Sequence, residues 1–506
     1  MRYLTIIFCA GLVLFCLDQA QARIIHVPAD SSTIQTGING AVDGDTVLVA
    51  RGHYYERIDF LGKAILVASN FIFDNDTITI DSTIIDGDTA VVGVSDTGSV
   101  VIFCNGEDST SVLQGFTIQN GIGTFPDYRW GGGIYCYYSP TITNNVITGN
   151  SAYFGGGIYS YWQTPVIRNN TITGNSADRG GGIARYQGFG PGVVISHNSI
   201  SGNSADRGGG ISCYGSGLPA ISNNTISDIS IYPGSESLCH SSVSTISNNT
   251  ITDNSAITYG GGIHFDITAP HTGDKTAACN FNDPAGEIRF EEFITIINNT
   301  INGNSADSGG GIYSQGWGPT ISNNIISNSP DGEGICHGYA GASISYNDVW
   351  NNADGNFSDC PAGIGDTTWG TNFNGTPCDS FYNIIRDPIF VGLNNYELLC
   401  NSPCVDAGDP GVYVPHDSGG CSIDMGAYEH HYSLGDANGD SIINGADVVF
   451  VINYLFKNGP APCPCRAGDC TCDGVTNSAD VVYLIDYLFK DGPPPCDQEN
   501  NLRPKL

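Results

Sequence analysis

The sequence predicts an all-β protein, a right-handed parallel β-helix solenoid followed by a small α-helical module that binds calcium. Two observations predict this architecture. A phrase built around a Gly triplet recurs along the middle of the 506-residue chain, and two near-copies of a loop–helix segment lie near its C-terminal end. At 506 residues, the chain is too long for one compact core and favours several domains or a repeat array.

The central repeat spans about residues 130 to 353, and its units follow one another at roughly 25 residues. Near-constant spacing of this kind is typical of a solenoid. Short alternating runs such as Thr141-Ile142-Thr143 are too brief and too β-branched for helices. Three short strands and three turns per unit would form one coil of a parallel β-helix. The Gly triplets begin at Gly131, Gly155, Gly180, Gly208, Gly260 and Gly309.

Stacked coils should place equivalent residues in ladders at a spacing of about 4.8 Å. We expect the isoleucine after each triplet to stack inside the solenoid: Ile134, Ile158, Ile183, Ile211, Ile263 and Ile312. We expect a turn asparagine to form a hydrogen-bonded ladder: Asn144, Asn169, Asn223, Asn248, Asn298 and Asn323. N-glycosylation is the alternative interpretation of the Asn-Asn-Thr triplets, but it does not explain why the asparagine recurs in each coil.

Both ends of the predicted solenoid carry recognisable patterns. The N-terminal order Val-Pro, Thr-Ile-Gln, Gly-Asp-Thr-Val, Gly-x-Tyr and Gly-Lys-x-Ile resembles the capping start of pectin-lyase-like β-helix proteins. The segment from RDPIF to DMGAYE resembles the C-terminal coil of many bacterial β-helix proteins. These resemblances imply a β-helix over residues 23–432, with a cap at 23–70, coils at 130–353 and a C-terminal coil at 380–432. One fold hosts many activities, so they say little about chemistry.

Two twelve-residue loops near the C-terminus carry oxygen-bearing side chains at positions 1, 3, 5, 9 and 12. This spacing lets a short chain wrap around a hard cation, with a backbone carbonyl from position 7. The first loop offers Asp436, Asn438, Asp440, Ile442, Asn444 and Asp447. The second offers Asp469, Thr471, Asp473, Val475, Asn477 and Asp480, and the threonine at position 3 predicts weaker binding there.

The duplicated unit, residues 433–496, resembles a type I dockerin and is followed by a tail at 497–506. As in dockerins, position 12 is Asp and not the Glu of an EF-hand. The resemblance implies two bound Ca²⁺ ions and a cohesin-like partner. Many dockerins read their partner through a Ser-Thr pair, which is Gly445-Ala446 in one copy and Ser478-Ala479 in the other. Calcium binding is therefore better supported than any particular cohesin.

The first 22 residues have the pattern of a secretory signal peptide. Arg2 precedes an apolar stretch, and Ala20-Gln21-Ala22 is a small-x-small cleavage site. No other run is long enough to span a bilayer, so we expect a secreted or cell-surface protein. Disulfides are then expected, with zinc as the alternative at the second of two cysteine groups. The groups are the pair Cys400 and Cys404, and the cluster Cys463, Cys465, Cys470 and Cys472.

A net charge of −33 disfavours nucleic acid as a partner and is compatible with neutral sugars or calcium-bridged acidic ones. The turn after each Gly-Gly-Gly-Ile strand carries aromatic rings, on which the C–H face of a sugar could pack. The alternative is that these rings only shield turn backbone. The candidate glycan-binding residues are Tyr138, Trp162, Tyr186, Tyr214 and Trp317.

The turn before the Gly triplet offers weak catalytic candidates, Asp178-Arg179 and Asp206-Arg207, at equivalent positions of adjacent coils. β-Helix lyases combine calcium-binding carboxylates with an Arg or Lys base, and paired carboxylates could serve a glycosidase. A salt-bridged surface ladder without function is the favoured alternative. Two hypotheses follow: a dockerin-tethered polysaccharide lyase or glycosidase, and a non-catalytic adhesin or glycan-binding rod.

Overall fold

The computed structural model describes most of the chain between residues 22 and 495, so the predicted signal peptide lies almost wholly outside it. The described residues are 22–88, 98–124, 129–161, 163–186, 193–207, 209–214, 219–226, 229–232, 243–252, 263–266, 293–315, 318–337, 341–399, 401–411, 423–430, 433–440, 442–462, 467–473 and 475–495. Backbone alone is described at 206–207, 214, 229–232, 243–244, 264–266, 293 and 315.

Three long parallel sheets form the walls of a β-helix, and each coil gives one strand to each sheet. The first sheet contains, in stacking order, Ile24–Val27, Thr46–Val49, Leu66–Ser69, Val112–Gln114, Thr141–Thr143, Val166–Arg168, Val194–Ser196, Ala220–Ser222, Val243–Ser247, Phe293–Ile297, Thr320–Ser322 and Ser343–Ser345. The second contains Gly52–Tyr55, Thr83–Asp86, Thr117–Gln119, Val146–Thr148, Thr171–Thr173, Ser199–Ser201, Thr225–Ile226, Thr250–Thr252, Thr300–Asn302, Ile325–Ser327 and Asp348–Trp350.

The third sheet carries the strands that follow the Gly triplets. It contains Ile58–Asp59, Val101–Phe103, Ile134–Cys136, Ile158–Tyr161, Ile183–Tyr186, Ile211–Tyr214, Ile229–Tyr232, Ile263–Asp266, Ile312–Gln315, Ile335–His337 and Phe357–Ser358. A short parallel pair, Ser176–Arg179 with Ser204–Arg207, lies before two of the triplets. Two antiparallel pairs follow the coils, Gly370–Thr371 with Pro377–Cys378 and Phe390–Gly392 with Asn395–Leu398. The predicted parallel β-helix is therefore confirmed.

The interior of the solenoid is a continuous apolar column, because alternate residues of each short strand point inward. The isoleucines expected to stack inside are all fully buried in one core cluster. Their registers pair Ile134 with Ile158, Ile158 with Ile183 and Ile183 with Ile211. The interior Ile ladder predicted from the repeat is confirmed.

The asparagine ladder exists, but the prediction was wrong by one residue. Asn144 and its equivalents adopt a left-handed backbone, with φ between 54° and 57°. The next residue in each turn forms the ladder, as where Asn145 Nδ2 donates to Asn170 Oδ1 over 3.1 Å. Left-handed geometry turns the chain and aims the following side chain inward. The buried ladder is Asn145, Asn170, Asn198, Asn224, Asn249, Asn299, Asn324, Asn347 and Asn383.

The N-terminal end is capped by a helix, Ile34–Gly40, that buries Ile34 and Ile38 against the first strands. Thr33 caps this helix, and its side chain exchanges hydrogen bonds with Thr36 in a capping box. Two short helices, Phe71–Asp74 and Thr77–Asp81, follow the third strand of the first sheet. The helix Ile34–Gly40 lies within residues 23–70, where the sequence analysis expects a cap.

Beyond the last coils, a second apolar cluster includes Ile384, Leu398, Cys404 and Met425. The expected Cys400–Cys404 disulfide is wrong, because Cys404 is a free, buried thiol whose Sγ lies 3.1 Å from a carboxylate oxygen of Asp348. Cys400 lies outside the described residues.

Two longer helices, Gly445–Lys457 and Ser478–Phe489, complete the described elements and pack against each other around Val448, Val451, Val481 and Leu484. Each begins after one of the twelve-residue loops. Among the helices that the structure describes, none has the length and apolar character needed to cross a bilayer.

Candidate calcium-binding and glycan-binding sites

The first loop, residues 436–447, is closed by the carboxylate at position 12. The two Asp447 oxygens accept from the N–H of Asn438 over 3.1 Å and from the N–H of Asn444 over 2.8 Å. Asp436 Oδ1 accepts from the N–H of Asp440 over 3.1 Å. The Ile442 carbonyl accepts from the Asn444 amide, while the Asn444 Oδ1 caps the helix that follows. The predicted ligands therefore all lie on one compact loop.

The second loop, residues 469–480, repeats this pattern almost bond for bond. The Asp480 oxygens accept from the N–H of Thr471 over 3.0 Å and from the N–H of Asn477 over 2.8 Å. Asp469 Oδ1 accepts from the N–H of Asp473, and the Val475 carbonyl accepts from the Asn477 amide. Thr471 differs from its counterpart because its hydroxyl bonds Asp480 Oδ1 over 2.9 Å.

The donor set of both loops fits a hard cation. Asp447 and Asp480 are fully buried carboxylates that accept only from N–H and O–H groups of their own loops. Asn, Thr and carbonyl oxygens supply the remaining ligands that calcium prefers. Over the described residues, no group of three His, Cys, Asp or Glu side chains is close enough together to hold a metal ion.

Both helices of the C-terminal module expose the same apolar residues. Phe456 and Phe489 are 67% and 68% exposed, and Val449 and Val482 are also exposed. Members of each pair occupy equivalent positions in the two sequence copies. Large exposed apolar side chains at matched positions indicate a surface that is covered by another molecule.

The cysteine cluster of the module is partly described. Cys472 is disulfide-bonded, which fits the disulfide interpretation and removes this thiol from any zinc site. Cys470 is buried, and burial raises the pKa of its thiol to about 12. Cys463 and Cys465 lie outside the described residues.

A stack of aromatic rings covers the outer face of the third sheet. Trp130 lies 5.8 Å from the ring of Tyr159, and the Tyr161 and Tyr186 rings lie 6.2 Å apart with only 3° between their planes. Tyr135 continues the stack at 6.0 Å from Tyr159. Burial raises the pKa of the Tyr135 and Tyr159 hydroxyls well above their usual value. The inner rings are therefore structural, whereas Trp130, Tyr161 and Tyr186 stay partly exposed.

The structure describes only some of the aromatic residues that were predicted to bind glycan. Tyr186 belongs to the stack, and Tyr138 packs edge-on against Tyr137 at 5.5 Å. The backbone of Tyr214 pairs with that of Tyr186, but its side chain is not described. Trp162 and Trp317 lie outside the described residues. The stack residues that the sequence analysis missed are outward-facing positions of the strands themselves, and the alternating pattern Ile-Tyr-Ser-Tyr could have indicated them.

The turn before the triplets brings the weak catalytic candidates onto adjacent strands. Arg179 pairs in register with Arg207, and the Arg179 guanidinium lies 5.6 Å from the centre of the Phe154 ring. Asp178 is exposed. The side chains of Asp206 and Arg207 are not described. A cation–π contact that positions Arg179 fits a structural role.

Comparisons with known proteins agree with this geometry. Residues 64–226 and 100–271 match the model of the right handed beta helix region, and residues 434–489 match the dockerin type I domain. Among solved structures, the crystal structure of pectate lyase Pel9A covers 81% of this chain and 97% of its own, with 13% identity and a TM-score of 0.27. Those values are too low to transfer an activity. No curated protein matches the chain.

The chain thus contains a right-handed parallel β-helix. It carries a type I dockerin-like domain after the solenoid, a kind of domain that generally binds calcium.

Proposed function

We propose that the chain is a secreted or cell-surface protein that acts on or binds extracellular polysaccharide. Its β-helix contacts the glycan, and its dockerin-like domain attaches it to a cohesin-like partner. The observation that carries this proposal is the duplicated loop–helix module, with matching hydrogen bonds in both copies, attached to a solenoid with an outward aromatic stack.

Calcium binds at two sites in this proposal, one in each loop. Asp436, Asn438, Asp440, Asn444 and Asp447 hold the first ion with the Ile442 carbonyl. The second site uses the matching residues, Asp469, Thr471, Asp473, Val475, Asn477 and Asp480. The ion supplies the positive charge that offsets clustered carboxylates and so ties each loop to its helix.

The partner surface is the exposed apolar face of the two module helices. Phe456 and Val449 present it on one helix, and Phe489 and Val482 present it on the other. A cohesin-like protein would cover apolar area that otherwise faces water. Gly445-Ala446 and Ser478-Ala479 differ from the Ser-Thr pair, so we expect a partner with its own specificity.

The glycan surface is centred on Trp130, Tyr161 and Tyr186, whose parallel, partly exposed rings offer flat apolar faces to sugars. Tyr138, Trp162, Tyr214 and Trp317 extend it in the proposal.

Incubation of the mature protein, beginning at Arg23, with neutral and acidic polysaccharides tests this function. Reducing ends report any cleavage, and ultraviolet absorbance of unsaturated uronates separates a lyase from a hydrolase. Product formation by the wild-type protein would show that it is an enzyme. Loss of activity in Asp178→Ala or Arg179→Ala, with activity retained in the exposed control Arg168→Met, would assign Asp178 and Arg179 to catalysis. If the calcium-loaded protein neither binds nor cleaves any of these polysaccharides, the proposal is refuted.

A non-catalytic glycan-binding rod is the second candidate. The contact between Arg179 and the Phe154 ring favours it, because this guanidinium already serves packing. This candidate predicts that Tyr161→Ala with Tyr186→Ala weakens glycan retention about tenfold without turnover in any variant. Turnover by the wild-type protein would exclude it.

A further inference from the structure

One arginine points into the core of the β-helix. Arg185 lies on the strand Ile183–Tyr186, in register with Ser160 on the preceding coil and Cys213 on the following one. Cys213 belongs to the interior cluster, and Ser160 is fully buried. Arg185 is itself only 2% exposed. The three side chains therefore form one inward-facing row across three coils.

The donors of this row lack acceptors. Arg185 Nε and Nη1 are buried without a hydrogen-bond partner, and so is the Ser160 Oγ. Among the described residues, the Cys213 thiol is the only ionisable group whose charge shifts the pKa of Arg185. Burial lowers the pKa of Arg185. Two unpaired guanidinium nitrogens, a hydroxyl and a thiol thus lie side by side in this row, and no carboxylate of the described residues shifts the pKa of Arg185.

An uncompensated guanidinium is among the most costly groups to bury, and arginine does not escape the cost by losing its proton. A row with a positive charge and several donors is chemically complementary to a small anion. We propose that Arg185, Ser160 and Cys213 form a buried binding site for a small inorganic monoanion of the halide class. This site is separate from the proposed glycan and calcium functions.

Two other occupants fit less well. A water molecule could accept one or two hydrogen bonds, but it would leave the charge uncompensated. The Cys213 thiolate would compensate the charge, but burial raises the pKa of this thiol to about 12 even beside Arg185. The anion therefore accounts for both the charge and the unpaired donors.

Thermal unfolding of the full chain tests the site at constant calcium and ionic strength. Sodium bromide or chloride should raise the melting temperature by roughly 3 °C at about a hundredfold excess over Kd, relative to sodium gluconate, whose anion is too large to enter. Arg185→Met should abolish this difference. Arg168→Met, which removes an exposed arginine of the first sheet, should retain it.

Diffraction on the wild-type protein in bromide supplies a readout that does not depend on the variant folding. An anomalous peak within hydrogen-bond distance of Arg185 and Ser160 is expected, and Ser160→Ala should weaken the halide effect. An equal halide response in Arg185→Met would show surface binding and overturn the proposal. Absence of the bromide peak, together with rapid alkylation of Cys213 at neutral pH, would also overturn the proposal. That result would identify the Cys213 thiolate as the counterion of Arg185.

Discussion

Cys404 and Asp348 meet in the apolar cluster beyond the last coils, where the thiol Sγ lies 3.1 Å from one Asp348 carboxylate oxygen. The other oxygen accepts from the N–H of Arg386 over 3.1 Å. Both side chains are fully buried. Burial, helped by the negative charge of Asp387, raises the pKa of Asp348 to about 7. This carboxyl group is therefore protonated in the folded protein under mildly acidic conditions.

The raised pKa of Asp348 makes stability fall as pH rises. An unfolded Asp titrates near 3.9, so between about pH 4 and pH 7 the unfolded chain loses a proton that the folded chain keeps. The free energy of unfolding should drop by about 4 kcal/mol across that window and change little above it. Urea unfolding from pH 4 to pH 8 measures the drop. Asp348→Asn, which cannot ionise, should remove it.

The exposed Asp307→Asn is the matched control for Asp348 and should leave the pH profile unchanged. A profile of Asp348→Asn that parallels the wild type between pH 4 and pH 7 would show that another group dominates. Calcium must be held constant and saturating, because metal binding depends on pH and would add its own contribution to the profile.

The one-residue shift of the asparagine ladder predicts opposite costs for neighbouring substitutions. Asn224 Nδ2 donates to the carbonyls of Ile195 and Ser222 and to Asn249 Oδ1, and its own oxygen accepts from Asn198. Asn224→Ala leaves several buried polar groups without a hydrogen-bond partner. It should therefore lower the free energy of unfolding by about 3 kcal/mol or more.

Asn223→Ala should cost only about 1 kcal/mol, the penalty for alanine in a left-handed turn. Asn223 is exposed with φ 56°, so Asn223→Gly should be neutral or slightly stabilising. Both effects are measured by urea unfolding. Equal losses in Asn223→Ala and Asn224→Ala would contradict the ladder register.

The ladder also shows what the repeat could and could not predict. Spacing alone gives the period of a coil, so the inward column of Ile134 and Ile158 was predictable. Which of the two adjacent asparagines points inward depends on the backbone geometry of the turn. The sequence Asn-Asn does not distinguish them. The left-handed φ of Asn144 decides that Asn145 points inward. Tyr159 was not predicted for a related reason: it lies on the outward face of a strand, whereas the predicted aromatic residues were expected on turns.

The Gly triplets predict a second matched pair of substitutions. Gly155 has φ 66°, and a Cβ there would clash with the carbonyl oxygen of Ile158. Gly174 has the same φ, but its nearest neighbour is Thr148 Oγ1 at 3.4 Å. In both variants, an alanine in the left-handed region lowers the free energy of unfolding by about 1 kcal/mol. The difference in stability between the two variants therefore reports the backbone clash alone. Gly155→Ala should melt several degrees below Gly174→Ala, and equal melting temperatures would argue against the tight turn.

Arg185 and Cys404 show the limit of sequence reasoning more sharply. The alternation that points Ile183 inward also points Arg185 inward, but arginine is so rarely buried that the sequence analysis did not single it out. Cys404 was paired with the cysteine nearest in sequence, whereas the fold brings a carboxylate from another coil against it. Contacts between distant segments depend on how the coils stack. The spacing of residues along the sequence does not predict them.

The two calcium loops differ at position 3, and exchanging the residues there should exchange their affinities. Thr471 turns its hydroxyl to Asp480, a bond that competes with a metal for the same oxygen, while Asn438 bonds Asp440. Thr471→Asn should therefore tighten the weaker site and Asn438→Thr should loosen the stronger one, each by about tenfold, the worth of one ligand. Calorimetric calcium titration of the full chain resolves both sites. The double exchange should restore two unequal affinities with the loops reversed, and unchanged affinities in all three variants would show that position 3 does not contact the ion.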